Sequence, residues 1–284
     1  MQSPFRCLRF VLLLLALWPA TFFALAKPAD AALTISPLRI IFEGRTRSAD
    51  VTLINTSQQT NTYRLGWAYN QMDEFGKYTR VASTLTPALD VGKHMIFSPR
   101  QVTLPPGARQ RIRLSLRKPP DLPDGEYRAH LVFQKLPNES DSTTTSEDAP
   151  ERGVTLSLKV LVGFSIPVIV RTGDYDATVD ITAPEFIPAS PENKGVAQLG
   201  ITLNRTGKHG TVGRVVVSWD KSDKPEKRIG LLNNVAIFPE MPKRYIRVDL
   251  NVPAVTSGNV TVTYYGDGPQ RGVVLAEKTF PVGG

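Results

Sequence analysis

From Val154 to Val168 the chain reads VTLSLKVLVGFSIPV. At period two, one face carries Val154, Leu156, Leu158, Val160, Val162, Phe164 and Ile166 with no polar interruption, while the other carries Thr155, Ser157, Lys159, Leu161, Gly163 and Ser165. Successive side chains leave a pleated backbone on opposite faces, so this alternation predicts a β-strand; a period of 3.6 would spread the same residues around a helix. The run is longer than the usual strand of about 3–10 residues. Part of it is therefore expected to extend past its own sheet, where a wholly apolar face either completes a core or is offered to a partner.

Shorter runs of the same kind fill the first half: LTISPLRIIF, ADVTLIN, TYRLGWAYN, KYTRV, HMIFSPRQVTL, QRIRLSL and EYRAHLVFQKL. Turn residues separate them at Glu43-Gly44, Asn55-Thr56-Ser57, Phe75-Gly76, Pro105-Pro106-Gly107 and Pro123-Asp124-Gly125. Strands at this spacing predict an antiparallel sandwich with Greek-key connections. From Pro137 to Arg152 the composition shifts to PNESDSTTTSEDAPER, a polar and acidic segment that reads as a long loop ahead of the alternating strand. After Pro167 the β pattern resumes in ATVDIT, VAQLGITLN, TVGRVVVSWD, RIGLLNNVAIF, RYIRVDLNV, NVTVTYY and VVLAEKTF. A boundary near Arg171-Thr172-Gly173 divides the chain into an all-β domain over 32–170 and a second sandwich over 171–284. The strand order of the second does not follow from the pattern.

The first 31 residues read as an export signal. Arg6 and Arg9 precede the apolar FVLLLLALWPATFFALA, and small-residue patterns follow at Ala24-Leu25-Ala26 and Ala29-Asp30-Ala31. A retained membrane anchor fits less well, because Pro19 and Thr21 interrupt the run ahead of those cleavage patterns. Cleavage before Ala32 removes Arg6, Arg9, Lys27 and Asp30 and lowers the formal net charge from +8 to +6. It also removes Cys7, the one cysteine, so the exported chain is expected to be stable without disulfides.

Candidate chemistry is sparse. His94, His130 and His209 stand alone, with no histidine or cysteine at a metal-ligand offset. No nucleophile elbow, phosphate-cradling loop or dinucleotide fingerprint occurs. Asp174, Asp176 and Asp180 match no calcium loop and read as a solvated turn. His130 reads as a packed or edge-strand residue, and Trp67 and Trp219 as core or rim aromatics. In the basic run from Arg109 to Lys118 the arginines alternate with aliphatics. Without interleaved aromatics that pattern excludes a good nucleic-acid surface. Neither a small-molecule substrate nor a cofactor is expected.

The opening ISPLRIIFEG, the block FSPRQVTLPPGARQRIRL, then GEYRAHLVFQKLP, a polar loop and a long strand closing on SIPVIVR together resemble the PapD-like periplasmic chaperones of chaperone–usher pilus assembly. The resemblance covers the first domain well and the second by position and β character. It implies two immunoglobulin-like β-sandwich domains in tandem, meeting at a cleft, in a non-enzymatic protein of the periplasm. Its implied partners are pilus or fimbrial subunits and an outer-membrane usher. Arg39, three residues before Phe42, matches the family's cleft residue that holds a subunit's C-terminal carboxylate, a role suited to a guanidinium. The lysine expected near the end of the last strand of the first domain is missing, and Lys159 is the nearest candidate. Val154, Leu156, Leu158, Val160 and Val162 are then the residues lent to an incomplete subunit, as an added strand. Four such side chains contribute roughly 6–12 kcal/mol gross before association costs. The same edge offers a route to self-association. Two other readings compete: a secreted two-domain structural or adhesive module, and a carbohydrate-active β-sandwich enzyme that lacks an evident carboxylate pair.

Overall fold

The computed structural model describes residues 33–82, 90–137, 163–220 and 227–283, all built from strands and short turns. The run LTISPLRIIF, read above as one strand, is two: β1 (Thr34–Ser36) and β2 (Ile40–Phe42). Pro37 lies between them, and a residue without an N–H cannot continue a hydrogen-bonded ladder. HMIFSPRQVTL breaks in the same way at Pro99. Following β3 (Ser48–Ile54), β4 (Asn61–Ala68), β5 (Asn70–Met72) and β6 (Tyr78–Arg80), it forms β7 (Met95–Ser98) and β8 (Gln101–Leu104). In each case the proline lets the chain cross from one sheet to the other. β9 (Arg109–Leu116), β10 (Gly125–Lys135) and β11 (Gly163–Thr172) complete this half.

One sheet has the order β1-β3-β9-β7 and the other β2-β11-β10-β4-β8; β5 and β6 pair as a separate hairpin. Val51, Leu53, Ile112 and Leu114 from the first sheet pack with Leu131, Phe133, Ile166 and Val168 from the second. The arginines of β9 point outward while Ile112, Leu114 and Leu116 are buried, as alternation requires. On β11 the parity read from Val154 onward faces this core: Ile166, Val168 and Val170 are buried in it and Phe164 packs half-buried against it.

The second half contains β12 (Thr178–Ile187), β13 (Gln198–Thr206), β14 (Thr211–Asp220), β15 (Lys227–Ile237), β16 (Lys243–Asp249), β17 (Gly258–Gly266) and β18 (Val274–Val282). They form sheets β12-β13-β16 and β15-β14-β17-β18. First, second and fifth strands lie on one side and third, fourth, sixth and seventh on the other, an immunoglobulin-like sandwich whose fourth strand pairs with the third instead of joining the first sheet. A bridge between Gly230 and Leu250 ties the two sheets at one edge. Two residues of the first half are buried in the second core, Met72 from the hairpin and Ile169 from β11, and Ile41 of β2 packs partly buried against it. No described helix is long and apolar enough to cross a membrane.

Candidate interdomain site

The outward face of the β2-β11-β10 sheet meets the second sandwich, and its register lays out the junction in rows. Glu126 stands opposite Arg171, Arg128 opposite Ile169, and His130 opposite Pro167. Ile169 in turn lies beside Ile41 of β2, and Arg39 directly precedes that strand. Polar residues thus alternate along β10 with Ala129, Leu131 and Phe133 of the first core.

Arg171 is the hub. Its Nε donates to Glu126 Oε2 at 2.9 Å, its Nη2 to the Gly210 carbonyl at 3.0 Å, and its Nη1 to Gln270 Oε1 at 3.1 Å. The Gly210 amide donates to the same Glu126 oxygen at 3.1 Å. Glycine is required at 210 because a Cβ there would stand 2.6 Å from Glu126 Oε1. One row further, Arg128 lies 3.5 Å over the Phe238 ring and pairs with Glu240 while donating to the Asn70 carbonyl at 3.0 Å. At the connection between the halves, His209 contacts Asp176 Oδ1 through Nδ1 at 2.7 Å and the Thr172 carbonyl through Nε2 at 2.9 Å. Asp176 is therefore engaged rather than merely solvated. Burial acts to raise its carboxyl, but hydrogen bonds from His209 and Lys208 hold it below its ordinary value.

The third row is less satisfied. His130 is buried with neither ring nitrogen hydrogen-bonded, edge-on to Tyr78 at 5.6 Å. Burial, aided by the Arg128 charge, lowers its pKa to about 4, so the ring is neutral. Arg39 is half-buried, its Nε is enclosed without a partner, and among the described residues it forms no ion pair. Burial pushes its guanidinium below the ordinary value; Tyr78, Asp267, Tyr264 and Glu126 offset this from a distance.

The β5–β6 hairpin crosses to the second half. The Glu74 carbonyl accepts from the Tyr245 amide at 2.8 Å, the Glu74 carboxylate pairs with Lys243 at 3.0 Å, and Phe75 meets the Tyr245 ring edge-on at 6.2 Å. Its turn needs Gly76, whose φ is +85° and where a Cβ would lie 2.7 Å from Arg244 Nη2.

Of the residues singled out in the sequence, Arg39 thus lies at the junction. Val154, Leu156, Leu158, Lys159, Val160 and Val162 lie outside the described residues. Sequence reasoning missed Arg171, Glu126, Arg128 and Tyr78. The available signal was the polar parity of Glu126, Arg128 and His130 on a strand whose other parity is core. No group of three or more metal-ligating side chains occurs among the described residues.

No family model and no curated protein matches the sequence. Solved structures do match. The YadV chaperone has a TM-score of 0.46 at 12% identity, over 88% of this chain and 100% of its own. A chain of the CsuC–CsuE chaperone–tip adhesion subunit complex of Acinetobacter baumannii has 0.42 at 12%, over 89% and 99%. A chain of the SafA pilin–SafB chaperone complex of Salmonella enterica has 0.42 at 12%, over 88% and 96%. These are likenesses of fold. They span nearly the full length of pilus chaperones at low sequence identity.

Proposed function

We propose that this chain is a periplasmic, ATP-independent chaperone. It captures pilus or fimbrial subunits by lending them the strand Val154–Val162 and passes them to an outer-membrane usher. The observation that carries the reading is Arg39. A guanidinium left without a counter-ion among the described residues, its Nε enclosed, at the junction of two sandwiches, is prepared for an incoming anion. In a partly desolvated cleft a carboxylate there gains charge-assisted hydrogen bonds stronger than those between neutral groups. The sequence resemblance assigns that anion as the subunit's C-terminal carboxylate and assigns the alternating strand as the part that completes the subunit's sheet. β11 supports the strand's role, since it enters from the Gly163 side and lies beside β2, which Arg39 precedes.

The test is co-expression with secreted proteins encoded beside this chain, asking which becomes soluble only in its presence. Arg39→Glu places a carboxylate where one is to be bound and is expected to abolish capture while the melting temperature stays within a few degrees. Undiminished capture by the folded variant would reduce Arg39 to a surface residue.

A further inference from the structure

The first sandwich has a second outward face, on the sheet β1-β3-β9-β7. The opposite sheet meets the second domain, so this face points away from the junction. β9 is interior to the sheet, and Arg109, Arg111, Arg113 and Ser115 have its outward parity. Arg117 continues that parity past the strand, its amide donating to the His94 carbonyl at 2.8 Å. Successive residues on one face are about 7 Å apart, so the arginines form a row about 27 Å long down the middle of the sheet. The register sets Asp50 and Ser98 beside Arg113, Thr52 and then Ser36 beside Arg111, and Ile54 and then Thr34 beside Arg109. Carboxylates on the flanking strands would stabilise such a row. Most flanking positions instead carry hydroxyls too short to shield it. Asp50 is the one carboxylate in this register, and it reaches Arg111 at 3.7 Å with side chains 40% and 74% exposed, a pair worth little in water. Among the described residues Arg109, Arg113 and Arg117 form no ion pair, and all three are exposed. The row repels itself, and only an anion from outside relieves it.

We propose that this face docks the protein on an anionic lipid surface, with Arg109, Arg111, Arg113 and Arg117 on the headgroup phosphates. Two features favour a bilayer over a soluble polyanion. The row stands on the middle of a sheet and not in a groove, which suits a planar partner. Ile96 of β7 lies on the same face opposite Ser115, between the levels of Arg113 and Arg117, and is 44% exposed. An aliphatic side chain among guanidiniums is the pairing an interfacial contact uses, charge at the headgroups and apolar surface at the acyl boundary. Arginine suits phosphate because its planar fork donates two parallel hydrogen bonds. The contact is peripheral and reversible. It turns the second sandwich away from the bilayer and leaves the interdomain junction clear, and it stands independently of the reading of Arg39.

The experiment is co-sedimentation of the mature protein with vesicles of equal parts phosphatidylglycerol and phosphatidylcholine, beside vesicles of phosphatidylcholine alone. Binding is expected to the mixed vesicles only, falling steeply as salt rises to the physiological level. Replacing Arg109, Arg111 and Arg113 together by Gln is expected to weaken it about a hundredfold, at about fivefold per charge, with the melting temperature unchanged. Replacing Arg64, Arg80 and Arg100 by Gln removes the same charge from exposed positions of the same domain outside this face, and is expected to weaken binding less than about fivefold. Ile96→Ser leaves the charge alone and is expected to weaken it about threefold. Equal losses in the two triple variants would reduce the binding to net charge and overturn the role of the face. Binding to soluble poly-glutamate with none to the vesicles would overturn the lipid assignment and give the face to an acidic protein. Unaltered affinity in Ile96→Ser would overturn the apolar part of the contact, and equal binding to both kinds of vesicle would overturn the electrostatic part.

Discussion

Arg171 and Glu126 are almost wholly enclosed, with side chains 3% and 1% exposed. A buried pair of this kind adds little over a well-packed apolar substitute, but removing one partner strands the other charge in a poor solvent. Glu126→Gln is therefore expected to destabilise the protein by roughly 3–5 kcal/mol, read by urea denaturation at neutral pH. Arg171→Met with Glu126→Leu should recover only part of that loss, because the Gly210 amide and carbonyl then lose their side-chain partners. His130 titrates in the same sense as a salt-bridged carboxylate, losing stability as the pH falls, although here the folded state favours the neutral form. Its folded pKa of about 4 lies below the ordinary 6.5, so protonation favours the unfolded chain. No stability is lost from this group above pH 6.5; below it the loss grows, reaching about 3 kcal/mol near pH 4. His130→Phe is expected to flatten that part of the pH profile, and an unchanged slope between pH 6.5 and 4 would assign it to other groups.

At the scale of elements, strand content was legible because alternation and turn residues both speak at short range. The long runs were legible as well, but not their division. Pro37 and Pro99 lie within apolar stretches that look continuous, and only a sheet switch shows what the missing N–H does. The junction was less legible still. Glu126, Arg128 and His130 share a parity, yet a solvated edge gives the same pattern, and their partners are separated from them by up to 112 residues. Arg39 could be singled out only through the resemblance, since nothing local distinguishes it from an exposed strand arginine. For the alternating strand, Leu156→Asn with Leu158→Asn separates its two fates. If the residues are lent, the isolated protein melts as wild type, and subunit capture fails as two amides enter a dry groove at roughly 1–3 kcal/mol each. A large fall in melting temperature without any partner would place them in the protein's own core.

At the scale of the molecule, the two sandwiches are coupled by more than contact. Met72 and Ile169 are carried by the first half and buried in the core of the second. The Arg128 network shares the row of Ile169, and the Arg171 network lies one row further along. Calorimetry of the mature protein is expected to give one transition, not two. Ile169→Ala, at a cost of about 2–5 kcal/mol, is expected to separate it into two. Two transitions in the wild type would mean that the junction is too weak to hold an anion site between the domains.

β11 sends Ile166, Val168 and Val170 to one core and Ile169 to the other. A one-residue slip would exchange these faces, drawing Arg171 inward and expelling Ile166. The joint therefore works as a ruler at one end of the strand. For a strand continued back toward Val154, the choice of which side chains meet a partner is set from the far end, before any partner arrives. If that strand is lent as proposed, recognition begins with phase already fixed, leaving the partner to select only how many residues are matched.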